Sequence, residues 1–301
     1  MSNQKQVNMT FLLGAGRSGS TLLYKLLSLH PKVGYISSYN NSFPNFLPTA
    51  YANRWLSHRL ALKRSVWFER SGNAHGFQRG LFKRLIPWPV EGENIYARAG
   101  IPLFEAESQA KDDKPAQRFR ESMLRLARQQ GADGMLSKRV ANNRRVPWLK
   151  KSFPEAKFIH LIRDGRDVAH SFTQVNWWHD DARVWWANQT MRELKADGWD
   201  TLSVTAKTWV EAVTTVDAAL GQIKDEQVLH VRYEDLLKTP LVVLEHIFQF
   251  MEIAPHSGYM EQVQSIGIKP VSSKWKQIWQ TQDYEKVLQQ QQTLLKQLGY
   301  L

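Results

Sequence analysis

The segment GAGRSGST, Gly14 to Thr21, packs anion-binding side chains into a glycine-rich turn. Gly14, Gly19 and Thr21 keep the phosphate-loop pattern G-x-x-x-x-G-K-[ST], whose glycines permit a tight turn with its amides facing the phosphates. Ser20 stands at the lysine position of that pattern, and a basic residue comes earlier as Arg17. The missing lysine is the group that would reach β- and γ-phosphates, and the usual loop hydroxyl holds magnesium. A loop carrying Arg17, Ser18, Ser20 and Thr21 suits a nucleotide with a shorter anionic tail and no metal. A ligand-free turn would not need these four side chains.

Three further segments carry anion chemistry. In FIHLIRDGRDVAHSF, residues 158–172, Arg163 follows an apolar run, Asp164 can cap the helix after it, and Ser171 lies about two turns along. Arg163 with Ser171 suits a phosphate held by charge-assisted hydrogen bonds, although an ordinary capped helix accounts for the same residues. In VRYEDLLKTP, residues 231–240, Tyr233 stands just past another apolar run. In IGIKPVSSKWKQIW, residues 266–279, Lys269, Ser272, Ser273, Lys274 and Lys276 crowd a stretch with little core pattern, which a solvated loop would also explain.

These residues need a scaffold that brings strand ends together. Apolar runs at 8–13, 32–37, 134–139, 157–162 and 227–231 read as strands. Helical periodicity covers 21–29, 116–130, 146–153, 164–174, 182–196, 203–223, 241–251 and 284–298. Strands alternating with helices predict an α/β fold, a P-loop-type three-layer α/β/α domain around a mostly parallel sheet. In such sheets ligands bind beyond the carboxyl ends of the strands. The rhythm lapses over about 43–115, read as a helical and loop-rich insertion in a single domain spanning 1–301. Within it 52–70 reads as basic helix and 72–89 as loop.

The 301 residues carry a net charge of +12, twelve tryptophans and no cysteine. Disulfides, thiolate metal sites and cysteine nucleophiles are excluded. The basic balance favours an anionic cofactor, membrane or nucleic acid as partner. The start MSNQKQVN lacks a secretory pattern, and no 18-residue apolar run occurs. A cytoplasmic protein is expected, with association at a membrane surface left open. The pairs Trp177–Trp178 and Trp185–Trp186 are unusual, because adjacent helical residues point about 100° apart and rarely both reach a core.

In this order the four segments resemble the sulfotransferases that use 3′-phosphoadenosine 5′-phosphosulfate (PAPS), and among them the bacterial branch related to protein-tyrosine sulfotransferases. The resemblance runs from Phe11 to Trp279, with about 43–115 largely unmatched. It implies transfer of a sulfuryl group to a hydroxyl or amine, with PAPS as co-substrate and no metal. Arg17 would neutralise the phosphosulfate, and Ser18, Gly19, Ser20, Thr21 and Leu22 would hold the 5′-phosphate. Arg163 and Ser171 would hold the 3′-phosphate and Tyr233 the nucleotide. Lys269, Ser272 and Lys274 would close over the phosphates. Lys138, at the end of the third strand, would face the transferred group.

The proton acceptor departs from the family pattern. Relatives place a Glu or His just past the second strand, where this chain has Ser37 and Ser38, or a His past the third, matched here by about Val140. The remaining candidates are Glu91 and Glu93 in WPVEGENIY, and His179, Asp180 and Asp181 in NWWHDD, with Glu91 and His179 favoured. The expected acceptor is a small molecule, lipid or glycan, with peripheral contact to an anionic membrane suggested by 52–70. Rival readings are a P-loop nucleotide kinase, with Asp164 as magnesium ligand, a basic nucleic-acid-binding protein, and a catalytically dead interaction protein on the same fold.

Overall fold

The computed structural model describes residues 7–44, 48–68, 85–101, 114–270 and 272–301. The strands are β1 (Asn8–Leu13), β2 (Val33–Tyr35), β3 (Gly134–Lys138), β4 (Lys157–Ile162), β5 (Arg183–Val184), β6 (Gln189–Thr190) and β7 (Val228–Arg232); all but β5 and β6 arise from the apolar runs. Five of them form one sheet in the order β2-β3-β1-β4-β7, and every neighbouring pair is parallel. In central β1, five of six residues are buried, as expected of a parallel strand covered on both faces.

Alternation along the strands divides the core. Leu12, Leu136, Ile159 and Leu161 pack with Leu22, Leu26, Phe248 and Tyr259 on one face. Phe11, Leu13, Met135 and Phe158 pack with Phe119, Phe153 and Val216 on the other. The result is the expected three-layer α/β/α architecture. Burying one such apolar side chain contributes roughly 1.5–3 kcal/mol, so each face is a large stabilising unit.

Strand order reverses around β1, with β3 and β2 on one side and β4 and β7 on the other. The carboxyl ends of β1, β3, β4 and β7 therefore meet at a topological switch point, where α/β sheets open a crevice for ligands. Gly14, Arg139, Arg163 and Tyr233 follow directly on those four ends.

Two segments differ from expectation. The single helix expected over 182–196 is instead the antiparallel hairpin β5–β6 followed by the helix Met191–Ala196. Asn188 takes the left-handed conformation at φ 55°, which Asn tolerates better than most residues. Thr190 and Glu193 then form a capping box that restarts the chain as helix. Trp186 leaves the hairpin to pack on Trp199 and donates from Nε1 to Thr208 Oγ1 at 2.9 Å.

The basic stretch 52–70 is two helices, Pro48–Ser57 and Leu60–Trp67, as far as Phe68; residues 69–84 lie outside the described residues. These helices belong to the core: Leu56, Leu60, Val66 and Trp67 are buried in the first cluster. Lys63 is fully buried as well. Its Nζ donates to the carbonyls of Ser28 and Leu29, at 2.6 and 2.9 Å, at the end of the helix Ser20–Leu29. No helix among the described residues is long and apolar enough to cross a membrane.

Candidate active site

The loop after β1 is shaped by contacts that leave no room for side chains. Gly14 lies at φ 153°, and a Cβ there would sit 2.7 Å from the Leu161 carbonyl. Asn143 clamps this peptide from both sides, accepting from Gly14 N–H at 3.1 Å and donating to Gly14 C=O at 2.9 Å. Gly19, at φ 92°, caps the helix Ser20–Leu29, and a Cβ there would lie 2.2 Å from the Tyr233 ring. Leu22 N–H donates to the Gly19 carbonyl at 2.9 Å, so the amides of Ser20 and Thr21 precede the first helical bond. Free first-turn amides and the helix dipole are the features that favour negative charge at a helix N-terminus.

Arg17 sits in the left-handed region, φ 67°, a conformation that costs energy outside glycine. Its backbone is held there by Arg163, whose Nη1 donates to the Arg17 carbonyl at 3.1 Å. Its side chain crosses to Ser171, with Nε donating to Oγ at 3.0 Å. Burial and then the nearby Arg163 charge lower the Arg17 pKa. Beneath the loop, Ser18 Oγ is buried and has no hydrogen-bond partner. Arg163 is steadied by stacking 4.7 Å over the Tyr233 ring.

A cleft of about 900 Å³ opens over these groups. It gathers Arg17, Gly19, Ser20, Thr21, Glu91, Lys138, Arg163, Ser171, Tyr233, Ser272 and Lys274. Leu22 instead points into the core. Lys269 is exposed and His179 has a side chain 60% exposed; neither lines the cleft. His179 accepts from the Asp181 amide at 3.2 Å. Asp180 and Asp181 are tied to Lys195 at 2.7 Å and Arg192 at 3.0 Å on the surface. Glu93 forms a two-pronged pair with Arg139, whose Nε lies 2.8 Å from Oε1.

Glu91 reaches the cleft by a route hidden in the sequence. Ser37 and Pro89 form an antiparallel bridge, and Val90 N–H donates to the Ile36 carbonyl at 2.9 Å. This pairing delivers Glu91 beside the end of the β2 segment, where the chain itself supplies only serines. Its Oε1 bonds Lys138 Nζ, and its Oε2 accepts from Val140 N–H at 3.0 Å. Burial alone would raise the Glu91 pKa, but the charge and hydrogen bond of Lys138, helped by the Val140 amide, outweigh it and hold the carboxyl below its ordinary value.

The chain belongs to the sulfotransferase family. A model of that family matches residues 10–257, a span that includes the loop, Glu91, Lys138, Arg163, Ser171 and Tyr233. Among solved structures, sulfotransferase STF9 from Mycobacterium avium aligns at TM-score 0.56 and 13% identity, over 97% of this chain and 76% of that one. The sulfotransferase domain of the Synechococcus PCC 7002 olefin synthase aligns at TM-score 0.51 and 19% identity, over 97% and 96%. Sulfotransferase STF1 from Mycobacterium tuberculosis H37Rv aligns at TM-score 0.54 and 14% identity, over 95% and 77%. At these identities the likeness is one of fold. No curated protein sequence matches.

This sulfotransferase has cleft residues that motif reading passed over. Asp167 and His170 line it with Ser171, and their spacing puts Asp167 three and four residues before the other two, on one helical face. That spacing was a usable signal. Ser273 Oγ donates to Asp167 Oδ2 at 2.8 Å, which pins the basic 272–276 segment across this helix. Burial is the main cause lowering the His170 pKa. Asn143 and Arg144 carry no motif. Only the turn after β3 puts them beside the loop, with Arg144 5.2 Å over the Trp185 ring.

Proposed function

We propose that this sulfotransferase moves a sulfuryl group from PAPS to a hydroxyl or amine on an acceptor with an apolar body. One observation carries the reading: the linked residues Arg17, Arg163 and Ser171 line the same cleft as the Lys138–Glu91 pair. The loop fits a 5′-phosphosulfate, with a tight glycine cradle, an unpartnered buried Ser18 hydroxyl and the guanidiniums of Arg17 and Arg163 on the same cleft. The donor supplies the sulfuryl group: acceptor oxygen bonds to sulfur as sulfur's bond to the 5′-phosphate oxygen breaks, and adenosine 3′,5′-bisphosphate departs with that bonding pair.

Arg17 and Lys138 stabilise the charge that grows on the departing oxygen, the principal contribution to catalysis in such in-line transfers. Arg163 and Ser171 orient the 3′-phosphate, and the Tyr233 ring supports Arg163. Ser272 and Lys274 flank the phosphates. Glu91, kept ionised at neutral pH by Lys138, takes the acceptor proton. His179 is the weaker candidate, because its exposed ring is turned to Asp181 outside the cleft.

Phe172, Trp177, Trp178 and Trp185 wall another part of the cleft, with Arg144 and Arg183 among them. This lining suits an aromatic or lipid-like acceptor that carries an anionic group, better than a glycan. Peripheral membrane contact rests on exposed Phe43, Tyr51 and Trp55, the last with Arg59 over its ring. We place the protein in the cytoplasm, where PAPS would be its co-substrate.

The decisive experiment has two arms. Titration with adenosine 3′,5′-bisphosphate without metal should show one tight site, while magnesium–ATP should not compete at equal concentration. Incubating cell extract with enzyme and sulfur-labelled PAPS should yield a labelled product by mass spectrometry. Preference for magnesium–ATP would instead favour the kinase reading. Bisphosphate binding with no labelled product in any extract would favour an inactive binder.

A further inference from the structure

A second cluster lies away from the cleft, on the face of the sheet covered by the helix Thr201–Leu220. His160 of β4 and His230 of β7 are direct register partners, with ring centroids 5.5 Å apart. Asp217, from the covering helix, brings Oδ1 to 3.0 Å from His160 Nδ1. One ligand atom from each of the three lies within 4.8 Å of the others.

The arrangement leaves an unmet chemical demand. His160 is completely buried, yet neither ring nitrogen has a hydrogen-bond partner. Asp217 Oδ1 has none either: it stands close to Nδ1 but outside hydrogen-bond geometry. Leaving a buried polar group unpaired is destabilising. A carboxylate oxygen near a ring nitrogen but outside hydrogen-bond geometry is the spacing that two ligands of one cation share.

We propose that His160, His230 and Asp217 bind a divalent transition metal of the zinc class. Two imidazoles and one carboxylate suit zinc and not the all-oxygen preference of magnesium or calcium. With bonds of about 2.0–2.2 Å the ligand atoms would stand roughly 3.4 Å apart, so the cluster tightens slightly on binding, and exposed His230 can swing to do so. A cavity of about 480 Å³ reaches Asp217 and His230 from the Arg232 and Gln297 side, leaving space for a water ligand.

None of the three residues lines the cleft, so this metal takes no part in sulfuryl transfer. Its place is structural: it ties β4 and β7 to the helix whose Trp209 Nε1 donates to the Arg163 carbonyl at 3.2 Å. The cation would thereby brace Arg163 from behind.

The test uses the full chain, stripped with chelator and dialysed. Calorimetric titration with zinc chloride should show about one equivalent bound, and zinc should raise Tm. His230→Gln alters an exposed ring and should fold normally by circular dichroism. It should weaken zinc binding by more than about a hundredfold and abolish the rise in Tm, as should Asp217→Asn. His179→Gln, a surface control, should change neither. The proposal is overturned if wild type binds no zinc, or if His230→Gln binds it as tightly as wild type.

Discussion

Arg17 and Ser171 are joined by a 3.0 Å hydrogen bond although 154 residues separate them in the chain. The bond links the loop after β1 to the helix after β4, the two elements proposed to hold the 5′- and 3′-phosphates on the two sides of one ribose. The Arg17 guanidinium and the Ser171 hydroxyl are thus each positioned partly by the other.

Arg17→Ala should lower turnover by at least about a hundredfold, the usual cost of removing a principal charge-stabilising donor. Because Arg17 holds φ 67°, alanine keeps the backbone strain that arginine already carries. Arg17→Gly relieves that strain and should still be inactive. Turnover assays of both variants separate side chain from loop shape, and near-normal activity in the glycine variant would remove Arg17 from the mechanism.

Glu91→Gln should reduce turnover by about 10²–10⁴, the range for a lost general base, with bisphosphate affinity little changed. His179→Gln should leave turnover near wild type. The opposite pattern would move proton acceptance to the 179–181 loop and leave Glu91 as a partner for Lys138 only.

Gly19→Ala should weaken bisphosphate binding sharply, since its Cβ would overlap the Tyr233 ring at 2.2 Å and φ is 92°. Tyr233→Ala alone should weaken binding by unseating Arg163. In the double variant the clash is gone, so the combined loss should be smaller than the sum of the two. Strict additivity in a double-mutant cycle would mean the two residues are not in contact.

Stability should fall in mild acid on account of His30. Burial first, then the charges of His256 and Lys63, lower its pKa from 6.5 to about 4. Below pH 6.5 the unfolded chain binds a proton that the folded chain refuses. The contribution is therefore full above pH 6.5 and is lost as pH falls toward 4, about 3 kcal/mol in all. Urea midpoints at pH 7 and pH 5 should differ less in His30→Gln than in wild type. An unchanged difference would show that His30 is not the group titrating.

The sheet and the anion cradle were legible because both depend on short local patterns. Leu12 beside Phe11 and Leu13 announces a strand buried on two faces, and Gly14 to Thr21 announces the loop that ends it. Glu91 gained its place through pairing of 88–90 with 36–38, a non-local contact with no periodicity to betray it. The hairpin at 183–190 was hidden for a different reason: its tryptophans and the later Met191 and Leu194 mimic a helical apolar face, while the decisive signals were single residues, Asn188 and Thr190. Leu22 enters the loop reading by its backbone only, and its side chain belongs to the core.

Lys63 gives the region around residues 48–67 a consequence for engineering. It fastens the rear of the same helix whose front forms the cradle. The two helices of that region therefore cannot be treated as an exchangeable cassette for retargeting the enzyme. A graft from another sulfotransferase would have to bring its own buried donor to Ser28 and Leu29, or donor-nucleotide affinity would drop along with the intended change in acceptor.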